Sequence, residues 1–90
     1  MSIGITETLI IANKLGLHTR PAAAFVKAAI PFKSVIKIKY KNIEADGKSI
    51  LGLLTLAAGK GSKIILSVTG PDQDVAFATL KKLIEGGFGE

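Results

Sequence analysis

The chain of 90 residues contains no cysteine and no tryptophan, and it has a single histidine. Without cysteine there is no disulfide and no thiolate ligand, which is consistent with a reducing compartment such as the cytoplasm. With one histidine and no cysteine, we expect no metal site. No apolar run approaches the length of a membrane span, which is about 20 residues. Residues 1–12 lack the basic start that is typical of a signal peptide. We therefore expect a cytoplasmic protein without membrane insertion.

The residues that are present favour one small folded domain over residues 1–90. Hydrophobic residues make up 48% of the chain, which argues against disorder and is enough for one modest core. The formal net charge of +5 points to an anionic partner. The stretch Lys33 to Lys41 carries four lysines, so a small basic nucleic-acid-binding module that uses this strand is the alternative function. A solvated sheet face is the better interpretation of these lysines, because one tyrosine makes a poor platform for stacking bases.

Hydrophobic periodicity predicts four strands and three helices. Alternating apolar residues indicate strands over residues 3–12, 35–41, 43–46 and 63–69. Apolar residues at helical spacing indicate helices over residues 19–30, from residue 50 to a glycine at 59, and between the turns at 70–72 and 86–87. The order β-α-β-β-α-β-α predicts an α+β fold with an antiparallel or mixed sheet and helices packed on one face.

The first two helices have specific boundary signals. Pro21 suits the first position of its helix, and the buried face then comprises Ala22, Phe25, Val26, Ala29 and Ile30. Ser49 is a good N-cap for the second helix, and Gly59 is its predicted C′ residue. The buried stripe of that helix comprises Ile50, Leu53, Leu54, Ala57 and Ala58. Leu51 and Leu56 fall off this stripe.

The stretch of residues 16–23 places chemistry at a helix N-terminus. It holds His18 and Arg20, the only histidine and the only arginine of the chain. The free amides of a helix N-terminus favour an anion, especially a phosphate. A neutral imidazole there can attack phosphorus, and a guanidinium can hold the phosphoryl oxygens. A single histidine is more often an ordinary surface residue, but the loop glycine, the helix start and the neighbouring Arg20 favour a functional role.

At residues 16–22, Gly-Leu-His-Thr-Arg-Pro-Ala, the chain resembles the HPr family, the histidine-containing phosphocarriers of the bacterial phosphoenolpyruvate-dependent phosphotransferase system. The similarity extends through residues 25–27, 47–53 and 59–61 and covers nearly the whole chain. Residues 13–16 and 86–90 resemble the nitrogen-related branch of the family more than its sugar-transport branch. The resemblance implies an open-faced β-sandwich, a four-stranded antiparallel sheet covered on one side by three helices.

The resemblance also implies a function and a site. His18 would accept a phosphoryl group on Nδ1 from phosphorylated enzyme I and pass it to an EIIA-type protein, and Arg20 would stabilise the phosphohistidine. Such a protein is a carrier between enzymes, without turnover of its own and without a cofactor, and we expect a monomer. The positions that border the partner-binding surface in the family are Thr19, Lys27, Ile50, Leu51, Leu54 and Thr55. Ser49 matches the serine that an HPr kinase/phosphorylase modifies in some bacteria.

Overall fold

A computed structural model describes residues 3–90 of the chain. Its elements follow in the order β1 (Ile5–Ile10), α1 (Thr19–Ala29), β2 (Val35–Tyr40), β3 (Ile43–Asp46), α2 (Ile50–Thr55), β4 (Lys63–Thr69) and α3 (Gln73–Glu85), with a 3-10 helix over Gly87–Gly89. The predicted order of strands and helices is confirmed. Strand β1 is shorter than the predicted residues 3–12.

The four strands form one antiparallel sheet in the order β1-β4-β2-β3. At its centre Ile38 of β2 lies opposite both Leu66 of β4 and Ala45 of β3, and all three are buried. Lys37 and Lys39 alternate with Ile38 along β2 and are exposed. One face of the sheet therefore belongs to the core and the other faces solvent, as the alternation predicts.

The three helices cover the buried face of the sheet. Helix α3 packs on β1 and β4, α2 packs on β3, and α1 contacts both other helices. The fully buried Phe25 of α1 belongs to the core that the helices and the sheet share. The predicted open-faced β-sandwich is confirmed.

Helix α1 begins at Thr19 as predicted and ends at Ala29, one residue before its predicted end. Pro21 therefore occupies the third helical position and not the predicted first. A proline at the third position loses no helical hydrogen bond, because the first four amides of a helix have no partner within it. Ile30 is the C-cap and its side chain is 59% exposed, so its predicted place on the buried face is wrong. Periodicity assigns faces poorly at a helix end, where the following residues leave the helix.

Helix α2 begins as predicted and ends earlier. The amide of Gly52 donates to Oγ of Ser49 over 3.0 Å, which confirms Ser49 as the N-cap. At the other end the amide of Leu56 bonds to the carbonyl of Leu53, three residues back, and Ala57 takes a positive φ of 52°. Ala57, not Gly59, therefore ends the helix. The tightened turn also shifts the helical phase, so that Leu56 is buried and Ala57 is exposed, contrary to the predicted stripe. Ile50, in the first turn, is exposed as well, so its predicted place on the stripe is also wrong.

The loop between β1 and α1 is held against the segment that follows α2. The amide of Leu17 donates to the carbonyl of Ala58 over 2.8 Å. Gly16 has a φ of +69°, and a Cβ at this position would clash with the Ala58 carbonyl oxygen and lie 2.5 Å from Cα of Gly59. Side-chain Nδ2 of Asn13 closes the loop by donating to the Gly16 carbonyl over 2.7 Å. The position at which α1 starts is therefore fixed by a close backbone contact.

Gly16→Ala is expected to destabilise the protein more than Gly61→Ala. Both glycines have positive φ values, but a Cβ at Gly61 meets no atom within 4 Å. Gly61→Ala should lower the free energy of unfolding by about 1–2 kcal/mol, the cost of the left-handed conformation. Gly16→Ala should lose more, because the loop must also move away from Ala58. Urea unfolding measures both losses, and equal losses would show that the contact at Gly16 is not close.

Candidate functional site

His18 is the N-cap residue of α1. Its backbone is extended, with φ −87° and ψ −169°, and its side chain makes no capping hydrogen bond. The amide of His18 donates to the carbonyl of Gly16 over 2.9 Å, and its carbonyl accepts from the amide of Ala22 over 3.0 Å. The backbone is thus held on both sides, whereas the side chain is 33% exposed. The backbone that carries the imidazole is therefore fixed, and the imidazole is accessible to another molecule.

The first turn of α1 adds positive charge next to His18. Thr19 and Arg20 are its first two residues, and both are exposed. Their amides have no partner within the helix, and they carry its partial positive charge. Pro21 follows and has no N–H to leave unpaired. The structure therefore brings His18, two such amides and Arg20 together, in an arrangement suited to a phosphate group.

Glu90, which sequence reasoning did not single out, completes the surroundings of His18. Its Oε1 lies 3.2 Å from Nε2 of His18 and 3.1 Å from Nδ2 of Asn13. Burial tends to raise the pKa of the Glu90 carboxyl, but the hydrogen bonds from His18 and Asn13, with the charges of His18 and Arg20, outweigh burial and lower this pKa. The carboxylate is therefore ionised at neutral pH.

The final segment brings Glu90 to the site. Phe88 has a positive φ of 59° and is 5% exposed, so its ring is anchored in the core between two glycines. The glycines flanking Phe88 in the sequence indicate a turn with a buried aromatic. They do not indicate which surface the next residue reaches, so the pattern alone does not lead to the contact between Glu90 and His18.

An apolar groove lies beside His18. It has a volume of about 270 Å³, and its other lining residues are Leu15, Leu17, Leu54, Ala57, Ala58 and Gly59. Leu15 lines the groove and is 69% exposed. Leu51 on α2 is 77% exposed and does not line the groove. An exposed apolar side chain in an apolar groove is typical of a surface that binds another protein. Leu15 was not among the predicted docking residues. The feature of the sequence that could have indicated it is an apolar residue within the short loop before α1.

The predicted docking residues occupy α1 and α2, the two helices next to the groove. Ile50, Leu51 and Thr55 on α2 are exposed, and Leu54 is half-buried and lines the groove. On α1, Thr19 adjoins His18. Lys27 is exposed but belongs to the last turn of the helix, eight residues from Thr19 and about 12 Å along the axis. Of the two docking residues on α1, Lys27 is therefore the one that lies farther from His18.

Ser49 has a structural role whatever its other functions. Its hydroxyl oxygen caps α2 and its side chain is half-buried. It precedes Ile50 and Leu51, and so it lies at the edge of the predicted docking surface. A phosphate on this hydroxyl would lie at a helix N-terminus, where its charge is tolerated.

Of the four lysines of the alternative function, Lys37 and Lys39 lie on the open face of the sheet, and Lys33 and Lys41 flank strand β2. Lys37 pairs with Glu44 over 3.2 Å, and Nζ of Lys41 lies 5.3 Å from the centre of the Tyr40 ring.

In residues 3–90 there is no group of three or more acidic, histidine or cysteine side chains that could hold a metal ion. No helix within the same residues is long and apolar enough to cross a membrane.

Comparison with known proteins identifies the family. The family model described as "PTS HPr component phosphorylation site" matches residues 5–86. The phosphocarrier protein HPr of Treponema pallidum is 38% identical over 86 residues, which are 96% of this chain and 98% of that protein.

Solved structures agree with the family match. The crystal structure of HPr-C-His from Thermoanaerobacter tengcongensis is 42% identical, with a TM-score of 0.91 over 96% of this chain and 97% of that one. A crystallographic HPr dimer from the same organism is 43% identical, with a TM-score of 0.77 over 91% and 94% of the two chains. Nothing in these comparisons supports the nucleic-acid alternative. The chain belongs to the HPr family of phosphocarrier proteins.

Proposed function

We propose that this protein carries a phosphoryl group from phosphorylated enzyme I, where it originates from phosphoenolpyruvate, to an EIIA-type acceptor in sugar uptake or a related regulatory relay. The observation that supports the proposal is the accessible imidazole of His18 at the uncapped N-terminus of α1. Family membership supplies the reaction class. We propose that residues 1–90 act as one carrier domain, as a monomer in the cytoplasm.

The transfer needs no general base on this chain. The lone pair of the neutral His18 imidazole forms the new N–P bond while the N–P bond of the donor's phosphohistidine breaks and its electron pair returns to the donor ring. The phosphoryl group passes in line through a loose transition state. The amides at the start of α1 and the guanidinium of Arg20 would then hold its oxygens. The same steps in reverse deliver the group to the acceptor.

The absence of turnover is part of this proposal. His18 would keep the phosphoryl group until a second protein takes it, and the chain returns to its starting state only through two partners. An exposed site suits this role because a partner's imidazole must approach the phosphorus directly.

The docking surface of the proposal lies on the loop before α1 and on helices α1 and α2. It consists of the predicted residues Thr19, Lys27, Ile50, Leu51, Leu54 and Thr55, together with Leu15. A small docking surface of mixed apolar and polar residues fits a transient complex that separates after each transfer. The net charge of +5 would speed the encounter with an acidic partner.

We propose that Ser49 is a regulatory phosphorylation site for a kinase of the HPr kinase/phosphorylase type. Its position next to Leu51 supports this, because a phosphate adds about two negative charges at the edge of the docking surface. Such charges would repel a partner that docks through acidic groups.

His18→Ala is expected to abolish phosphate acceptance and leave the fold intact, because the side chain caps nothing and is partly exposed. Arg20→Ala should slow acceptance by about 10–100-fold, the effect of one charged hydrogen bond. The measurement mixes each variant with phosphoenolpyruvate and enzyme I and detects one acid-labile phosphate by mass spectrometry. A labelled His18→Ala protein would overturn the assignment of the acceptor.

Leu51→Ala is expected to raise the KM for this carrier in the enzyme I reaction about tenfold with kcat unchanged, because it removes an anchor of the docking surface. The matched control is Val35→Ala, which truncates another exposed apolar side chain on the open face of the sheet. Steady-state transfer rates measured against carrier concentration give both values. A similar KM for the two variants would contradict the assignment of the docking surface.

Ser49→Asp is expected to raise the same KM about fivefold at low salt, the effect of one exposed charge at contact distance. Ser49→Asn is the control, because asparagine and aspartate both cap helices and only aspartate is charged. The transfer assay compares the two variants at low and high salt. If both variants raise KM equally, the replacement of the serine side chain, and not the added charge, is responsible, and the proposed effect of charge is wrong.

A further inference from the structure

We propose that a second groove, at the end of the sheet where β2 begins and β3 ends, binds a phosphorylated sugar or polyol. This β2–β3 groove has a volume of about 390 Å³, which is within the range of small-molecule sites. It is lined by residues 33–37, 44–46 and 48 and shares none of them with the apolar groove beside His18. The proposal is therefore independent of phosphoryl transfer at His18.

Three lysines supply the positive charge of the β2–β3 groove, namely Lys33, Lys37 and Lys48. Lys37 pairs with Glu44. Within residues 3–90, neither Lys33 nor Lys48 forms an ion pair with a carboxylate. Two ammonium groups are thus available at one groove, and lysine is a common phosphate ligand. Their charge matches that of a phosphate monoester, which carries about two negative charges at neutral pH.

The two carboxylates of the β2–β3 groove determine what else the ligand must carry. Glu44 bonds to Lys37 through Oε1, and Asp46 accepts the amide of Lys48 through Oδ1. Each carboxylate keeps a second oxygen that can accept from a hydroxyl group. A bare phosphate ion would be repelled by these charges, whereas the hydroxyl groups of a sugar or polyol would donate to them. The exposed side chain of Val35 offers an apolar contact for the carbon skeleton.

The wall of the groove that precedes β2 is held by α3. Asp72, the N-cap residue of α3, accepts from the amides of Lys33 and Ser34 over 2.8 Å and 3.0 Å. The hydrogen bond from the Ser34 hydroxyl and those from the two amides outweigh burial and lower the pKa of Asp72. This carboxylate is therefore ionised at neutral pH, and it fixes the backbone that carries Lys33.

The opposite wall is held by α1. Nζ of Lys48 donates to the carbonyl of Phe32, just beyond the end of α1, over 2.6 Å. This bond uses one of the three donors of the ammonium group, and two remain for a ligand. Because hydrogen bonds within the protein already hold both walls, a ligand would bind without the cost of ordering them.

The test titrates ¹⁵N-labelled protein with glucose 6-phosphate and follows the backbone amides by NMR at about 150 mM salt, where weak surface attraction is screened. We expect the amide signals of residues 33–37 and 44–48 to shift with a Kd of about 0.1–1 mM, and that of His18 to stay in place. Glucose and inorganic phosphate are the comparison probes. Each should bind about tenfold more weakly, because each satisfies only one part of the lining.

Lys33→Gln is expected to weaken binding of glucose 6-phosphate about tenfold, because it removes one of the two available ammonium groups. Lys60→Gln is the matched control, an exposed lysine outside the groove with the same change of charge, and it should bind like wild-type protein. Lys48→Gln should weaken binding to a similar degree as Lys33→Gln, and its side-chain amide can still donate to the carbonyl of Phe32.

The outcomes distinguish the ligand from the site. Inorganic phosphate that binds as tightly as glucose 6-phosphate would overturn the ligand class. The site itself would be overturned if the groove amides did not shift with glucose 6-phosphate, or if Lys33→Gln and Lys60→Gln bound it equally well. His18→Ala should bind the probe like wild-type protein, so a failure of the proposed phosphoryl transfer would leave this result standing.

Discussion

The close packing of Gly16 on the backbone of Ala58 and Gly59 is the contact on which the site depends. It joins the loop before α1 to the segment after α2, two parts of the chain that are far apart in the sequence. The loop on one side of this contact continues directly to His18, and Ala58 and Gly59 on the other side line the apolar groove. The proposed phosphoryl acceptor and the surface proposed to bind partners are therefore positioned by the same hydrogen bond and the same missing side chain. A movement of the loop would disturb both together.

Stability and function come from different layers of the molecule. The core lies between the helices and one face of the sheet, where Phe25, Ile38 and Leu66 are fully buried. The site lies at the edge of this core, on the first residues of a helix and on a loop, and contributes few buried apolar groups. Such an arrangement suits a carrier, because the imidazole must be rigid enough to align with the phosphorus and open enough for a second protein to reach it. A buried histidine would meet the first requirement and fail the second.

The features that the sequence predicted well are those set by local geometry. Alternation in β2 and β4 follows directly from a sheet with one buried face, and Ser49 caps α2 through a bond that spans three residues. Predictions failed where the backbone left regular geometry. In α2 the bond from Leu56 to Leu53 shifted the helical phase, so Leu56 is buried against expectation. The contact between Glu90 and His18 spans 72 residues and carries no periodic signal. Only the folded chain reveals it.

The interaction of Glu90 with His18 is weak as an ion pair and specific as a hydrogen bond, and the two properties are compatible. Solvent screens the attraction between exposed charges, so the pair does not hold the final segment in place. Phe88 does so, at the cost of an unfavourable backbone conformation. The core thus positions the carboxylate of Glu90 next to the imidazole of His18 without burying that imidazole.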